Sequence, residues 1–295
     1  YYDIVAFRNK ELKELSKKYL ILAVVATIAA FSNFYNLFVI YDYNKDTMRG
    51  GQTEITSTQS KSTSKDGGLD INYAFSWSYK VSELFNFIVP DAMGGTSSYK
   101  VKTSKSKLAQ AINPNEKTMV LPLYWGIQPF TNSPNYLGVA IIVLFIFSFF
   151  YSRKSVKYVF LTIFILSMLM GLGRSFLGFN EILFKHLPLY KSFRTPTMSY
   201  SMLNLIALVA ISAPLQSLIR KEFDFEHLKK SLKYTAYTLI GLFVIGYLAV
   251  SGDGYSSPND VQSFGNNKEG LQLMIEDRES FFKSDVWRSL LLVCL

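Results

Sequence analysis

The stretch at residues 136–172 reads YLGVAIIVLFIFSFFYSRKSVKYVFLTIFILSMLMGL. Two apolar runs, 136–151 and 156–172, flank the short basic turn SRKS. A bilayer core takes about 20 apolar residues to cross, and runs close to that length are typical of transmembrane helices. The stretch therefore predicts a tight transmembrane hairpin and an all-α polytopic membrane protein.

The same pattern recurs along the chain. Further complete spans are predicted at 19–40, 198–219 and 232–250, and a sixth span is cut off after Val286. The predicted fold is five complete transmembrane helices plus a truncated sixth, with interfacial helices in the outer loops. The chain lacks an initiator methionine, and its last residues, VWRSLLLVCL, stop within an apolar run. We therefore expect residues 1–295 to be an internal fragment of one transmembrane domain.

Composition agrees with a membrane protein. The chain is 49% hydrophobic and 16% aromatic, with a formal net charge of +9. A nucleic-acid-binding protein would carry such charge in a compact basic domain, whereas here it lies in short segments between apolar runs. We therefore expect membrane lipid, and no nucleic acid, among the partners. A single cysteine, Cys294, excludes an intramolecular disulfide.

Loop charges predict the orientation. Three short segments are net basic: RNKELKELSKK before the first span, the SRKS turn, and RKEFDFEHLKKSLK after the fourth span. Short basic loops stay on the cytoplasmic side of a membrane. Alternation then places the loops 42–135, 173–197 and 251–285 on the outer side.

The outer connection 173–197 departs from this rule, because it carries four Lys or Arg residues and the single acid Glu181. It begins with a candidate interfacial helix, SFLGFNEILFKHL, and continues into a basic connection between Pro188 and Pro196. The basic residues considered are Arg174, Lys185, His186, Lys191 and Arg194. They could snorkel to lipid headgroups. Alternatively they grip the phosphate of a lipid-linked substrate, with Arg194 holding it bidentately and Lys191 adding a point charge.

The long outer loop 42–135 varies in composition along its length. Its segments 52–67 and 96–118 are rich in Ser, Thr and Lys, and we expect them to be too polar to order strongly. Between them, apolar residues at helical spacing predict a short amphipathic helix, ended by Pro90, that lies on the bilayer or packs against the spans: Val81, Leu84, Phe85, Ile88 and Val89.

Familiar catalytic motifs are absent. The sequence contains no phosphate-binding glycine loop, no HExxH and only two histidines. Asp42 and Asp46 follow the first span and could bind a divalent cation or act as a base, although solvated charge at a helix end is the simpler interpretation. Polar residues of the first span, Ser32, Asn33 and Asn36, favour interhelical hydrogen bonds over a hydrophilic cavity.

Taken together, five segments resemble the YfhO family of bacterial membrane proteins. They are YDYNKDTMRGG, YAFSWSY, FIVPDAMGG, YWGIQPFTNSPNYLG and LPLYKSFRTPT, in that order, within residues 36 to 220. Members of this family are related to the C-type glycosyltransferases. The resemblance implies a multi-pass protein of the bacterial cytoplasmic membrane that moves a sugar from a polyprenyl-phosphate donor to a cell-envelope acceptor on the outer side.

The resemblance also implies roles for individual residues. Lys191 and Arg194, in KSFRT, would bind the donor phosphate, while Arg49, Trp125 and Gln128 would line the outer cavity. The catalytic acid of such proteins is expected in an outer loop that precedes this fragment, so no residue here is assigned to catalysis. Two other functions stay open: a transporter or flippase for envelope lipids or polysaccharide, and a non-catalytic membrane scaffold in which Arg194 only snorkels.

Overall fold

The computed structural model describes residues 12–44, 69–152, 154–187 and 190–294. The chain forms two compact units, the first from Tyr1–Ala74 and Phe184–Arg194, the second from Phe75–Leu183 and Thr195–Leu295. Helices dominate the described residues, which confirms the all-α class, and one small antiparallel sheet accompanies them.

The first unit contains the predicted first span, but the span is broken. Helix α1 (Leu12–Ser32) meets helix α2 (Phe34–Asn44) at a bend of 65°. Ser32 Oγ donates to the Ile28 carbonyl at 2.9 Å and Asn33 Nδ2 to the Ala29 carbonyl at 3.1 Å. Such bonds to the preceding turn compete with the backbone ladder and bend helices. These bonds of the two side chains lie within the helix, and the predicted bonds to other helices stay a prediction. A short helix, α3 (Ile71–Ala74), and a 3₁₀ turn at Tyr190–Ser192 complete the described part of this unit.

Most of the helices belong to the second unit. They are α4 (Lys107–Ile112), α5 (Val139–Tyr151), α6 (Lys154–Gly171), α7 (Leu177–His186, whose last residues belong to the first unit), α8 (Ser201–Ile219), α9 (Phe225–Gly252), α10 (Asp260–Phe264) and α11 (Lys268–Cys294). Four 3₁₀ helices lie at Val81–Phe87, Thr103–Lys105, Gly173–Phe176 and Pro196–Tyr200.

The number of spans is lower than predicted. Among the described residues, Pro196–Ile219 and Phe225–Gly252 are long and apolar enough to cross a membrane, and the count rises to four if each of two bent helix pairs is one span. Helix α5 has 13 residues, about 20 Å of helix, and is short for a bilayer core of about 30 Å. The predicted sixth span is only the last part of α11, whose first half is charged. Five complete spans plus a truncated sixth are therefore not observed.

Helix α6 turns sharply at its end. Its axis and that of the following Gly173–His186 segment differ by 111°. Gly173 has a φ of +44°, and a Cβ there would lie 2.1 Å from Ser78 Oγ. The fully buried Asn180 donates to the carbonyls of Leu169 (2.9 Å) and Gly173 (3.2 Å). These contacts satisfy carbonyl groups that the bend leaves without a helical partner. The segment after the bend is helical, as predicted for the interfacial helix.

The core of the second unit is aromatic. The predicted amphipathic helix forms as the 3₁₀ helix Val81–Phe87, and Phe85 contacts the rings of Phe243 on α9 and Phe282 on α11 at 5.8 and 6.3 Å. Gly246 on α9 permits this approach, because a Cβ there would lie 2.2 Å from the Phe85 ring. The helix therefore packs against the long helices, which is one of the two placements that its sequence allowed.

The polar segment 96–118 is ordered, contrary to the prediction. Strand β1 (Tyr99–Lys102) pairs antiparallel with β2 (Thr118–Leu121), with Tyr99 opposite Leu121 and Lys102 opposite Thr118. A small core of apolar side chains holds the segment to α11: Val101, Leu108, Ala109, Leu121, Leu123 and Met274. The other polar segment, 52–67, lies outside the described residues.

Candidate functional site

The basic segment that the sequence singled out forms part of the first unit. His186 ends α7, Lys191 lies in the 3₁₀ turn, and Arg194 follows it; all three side chains are exposed. The backbone N–H of Leu69 donates to the Lys191 carbonyl at 3.0 Å. The turn is therefore held to the chain that leads into α3.

Helix α3 orients the guanidinium of Arg194. Asp70 Oδ1 accepts the backbone N–H groups of Asn72 and Tyr73, at 2.9 and 3.2 Å, and so caps this short helix. Arg194 Nη1 donates to Tyr73 Oη at 2.7 Å, and the guanidinium carbon lies 5.8 Å from the centre of the Tyr73 ring. A planar guanidinium presents its N–H donors in a fixed fork, a geometry that matches a phosphate. The YAFSWSY and KSFRT motifs are thus joined through one hydrogen bond.

The remaining predicted site residues lie elsewhere. Arg174 belongs to the second unit; its side chain is exposed, and its backbone N–H donates to the buried Ser78 Oγ at 2.8 Å. Asp42 is exposed near the end of α2, while Arg49 and Asp46 lie outside the described residues. Across the described ranges, no group of three or more His, Cys, Asp or Glu side chains is placed to hold a metal ion.

Trp125 and Gln128 are core residues of the second unit, with 2% and 5% of their surface exposed. The Trp125 ring contacts that of Tyr255 at 5.8 Å and lies 5.8 Å from the Arg278 guanidinium carbon. A Cβ on Gly94 would lie 2.9 Å from the same indole. Packing around Trp125 therefore fixes the chain at 124–128, and neither side chain faces open space.

A buried carboxylate that sequence analysis passed over lies beside this segment. Glu83 is fully buried in the 3₁₀ helix, where Oε1 accepts Tyr124 Oη at 2.6 Å and Oε2 accepts the Lys80 N–H at 2.7 Å. The ammonium of Lys80 pairs with Asp253 at 2.5 Å. Burial therefore dominates and raises the pKa of Glu83 to about 7, although its hydrogen bonds act in the opposite direction. The only sequence signal was a glutamate at the third position of a short helix.

A second buried group is an ion pair. Arg278 on α11 is 1% exposed and makes bidentate contacts with Asp260, at 2.7 and 2.9 Å. Its remaining N–H groups donate to backbone carbonyls, including those of Leu123 and Tyr255 at 3.0 Å. A buried charge satisfied in this way fastens the 122–124 segment and α10 to α11, so we assign it a structural role.

Two further carboxylates, Asp91 and Asp285, line a small cavity of about 50 Å³. Tyr99 Oη donates to Asp91 at 3.1 Å, and Arg288 contacts Asp285 at 3.1 Å. Burial and the charge of Asp91 raise the pKa of Asp285. Asp91 and Asp285 connect the FIVPDAMGG segment to α11. Two carboxylates alone do not make a metal site.

Comparison with known proteins gives no family assignment: no protein-family model, curated protein or solved structure matches the chain.

Proposed function

We propose that this chain is part of a membrane glycosyltransferase that moves a sugar from a polyprenyl-phosphate donor to a cell-envelope acceptor. The observation that supports the proposal is the exposed guanidinium of Arg194, held by Tyr73 at 2.7 Å on a segment that also exposes His186 and Lys191. The long apolar helices support a membrane protein. The resemblance of the motifs to the YfhO family supplies the reaction and the outer side of a bacterial cytoplasmic membrane.

In the proposed reaction, a hydroxyl of the acceptor attacks the anomeric carbon of the donor sugar. The bond from that carbon to the phosphate oxygen breaks, and polyprenyl phosphate leaves with the electron pair. Arg194 and Lys191 stabilise the negative charge that develops on this phosphate. A carboxylate takes the acceptor proton, and Asp42 and Asp46 are weak candidates for that role within this chain.

Transport or flipping of an envelope lipid is the second candidate. Two bent helix pairs favour it, at 65° and 111°, because interrupted spans are typical of transporters. Such a protein would use the same contact with phosphate and would break no bond.

One experiment separates these functions. The intact protein is reconstituted in vesicles with a polyprenyl-phosphate sugar labelled in the sugar, and the label is followed over time. We expect label to appear on an envelope acceptor, with an initial rate at least about tenfold lower for Arg194→Ala, the loss of one charge-assisted phosphate contact. Label that crosses the bilayer on the intact donor indicates transport, and label that neither moves nor transfers indicates a scaffold.

A matched pair of variants tests the role of the tyrosine. Tyr73→Phe removes the hydroxyl that accepts from Arg194 and leaves the ring in place, so we expect a smaller loss of rate than with Arg194→Ala. A Tyr73→Phe protein that equals the wild type would show that this hydrogen bond does not contribute.

A further inference from the structure

A concave basic surface lies at the start of α9, in the second unit. A cavity of about 560 Å³ is lined there by six residues, which we call the lysine pocket: Asp224, Glu226, His227, Lys229, Lys230 and Lys233. Lys229 and Lys233 are four residues apart, so they lie on the same side of the helix. Lys230 is three residues before Lys233 and lies beside them. The three lysine side chains therefore line one cavity.

The lysine charges have no ionic partner within the part of the chain that the structure describes. None of Lys229, Lys230 and Lys233 forms an ion pair there within 4 Å. Asp224 caps the helix instead, since its carboxylate accepts the backbone N–H of Glu226 at 3.1 Å. The lining carries three lysines against the two carboxylates of Asp224 and Glu226, so a net positive charge faces the cavity and favours an anion.

The surroundings of the pocket are apolar and aromatic. Tyr151, at the end of α5, stacks on His227 at 5.2 Å and hydrogen-bonds through its hydroxyl to Ser217 of α8 at 3.0 Å. The Lys233 ammonium lies 5.7 Å from the centre of the Tyr237 ring. Three large apolar side chains nearby in the chain are exposed: Ile219, Phe223 and Phe225. Lysines, tyrosines and exposed apolar groups at the start of an apolar helix are typical of the level of lipid headgroups.

We propose that the lysine pocket binds the phosphate of an anionic phospholipid headgroup, in the leaflet on the side that loop charges assign to the cytoplasm. Lys229 and Lys233 contact the phosphate from one side of the helix and Lys230 from the next, while Phe223 and Phe225 contact the acyl chains. The exposed apolar residues favour a lipid over a soluble phosphate compound, because a soluble anion would leave them in water.

Native mass spectrometry of the intact protein in detergent tests this site. The probe is phosphatidylglycerol, compared with phosphatidylcholine of the same acyl chains. The test variant is Lys229→Gln/Lys230→Gln/Lys233→Gln. The control variant, Lys100→Gln/Lys102→Gln/Lys117→Gln, removes the same charge from exposed lysines around the sheet. We expect wild type and control to retain phosphatidylglycerol over phosphatidylcholine, and the test variant to lose at least about tenfold of that binding.

Two results would overturn the proposal. Equal retention by test and control variants would show that the lipid binds elsewhere, and displacement of the lipid by millimolar inorganic phosphate would show a soluble-anion site. All substituted side chains are exposed, and unchanged circular dichroism checks that the variants fold. Binding of a polyprenyl-phosphate sugar, measured in the same variants, should not change. The lysine pocket and the proposed donor site are therefore tested independently.

Discussion

Two ionisable side chains, Arg278 and Glu83, are buried in the second unit, and they differ in whether an opposite charge contacts them. Arg278 has its counter-ion Asp260 and several carbonyl acceptors, so its charge is satisfied inside the protein. Glu83 has hydrogen-bond donors but no ammonium in contact, since Lys80 pairs with Asp253. The charge of Glu83 is therefore the one that solution conditions can remove.

Glu83 makes the stability of the fold depend on pH. Its pKa rises from an ordinary value of 4.5 to about 7, so between these values the folded chain binds more protons than the unfolded chain. The contribution of Glu83 to stability is therefore fully present below pH 4.5 and is lost as the pH rises to about 7, a change of up to about 3 kcal/mol. We expect Glu83→Gln to flatten the dependence of the melting temperature on pH in this window. Parallel melting curves of variant and wild type from pH 5 to 8 would contradict this role.

Gly94 is a second residue with a measurable consequence. It has a φ of +83°, and a Cβ there would lie 2.1 Å from the Leu123 carbonyl oxygen. Backbone cannot move aside as a flexible side chain can, so we expect Gly94→Ala to destabilise the fold by more than about 2 kcal/mol. Gly178→Ala is the control, because that helical site has open space, and it should be neutral or stabilising by up to about 1 kcal/mol. Similar melting temperatures for the two variants would refute the steric argument.

Helices were predictable from the sequence where apolar runs or apolar residues at helical spacing extend over several turns. The hairpin 136–172, the 225–252 helix and the short helix after Lys80 all form near their predicted places. The segment 96–118 was not predictable, because its own apolar residues are few. It is ordered by a partner distant in sequence: Asp277 of α11 accepts Ser106 Oγ at 2.5 Å and the N–H groups of Lys107 and Leu108 at 2.7 and 3.1 Å.

Asp277 therefore holds α4, and its replacement tests the order of the whole segment. Asp277 is 2% exposed, and Asp277→Ala leaves the buried N–H of Leu108 and the partly buried N–H of Lys107 without an acceptor, at a cost of about 3 kcal/mol. We expect faster hydrogen exchange across β1 and α4 in this variant. Glu276→Ala, at the exposed neighbouring position that pairs with Lys107 at 2.8 Å, should leave exchange there unchanged. Unchanged exchange in both variants would mean that the apolar contacts suffice.

For the molecule as a whole, the sequence predicted the all-α fold class correctly but predicted too many transmembrane helices. Apolar runs predict burial in lipid or protein but not helix direction, so the bends after Ser32 and Gly171 were not foreseen. For the candidate site, the sequence indicated Arg194 through an unusual loop charge, and the link to Tyr73 required the structure because 121 positions separate the two residues. Trp125 and Gln128 were chosen from a motif, and the structure uses them for packing.

If Arg194 contacts the phosphate of a lipid-linked donor, its replacement should weaken the binding of a polyprenyl-phosphate sugar to the intact protein in detergent. Wild type is compared with Arg194→Ala and with Arg220→Ala, which removes the same exposed side chain from the end of α8. Melting temperatures of all three proteins check their folding. We predict that Arg194→Ala loses at least about tenfold in affinity while Arg220→Ala binds as wild type does. Equal binding by the folded Arg194→Ala protein would contradict the claim and would leave this segment as an interfacial anchor.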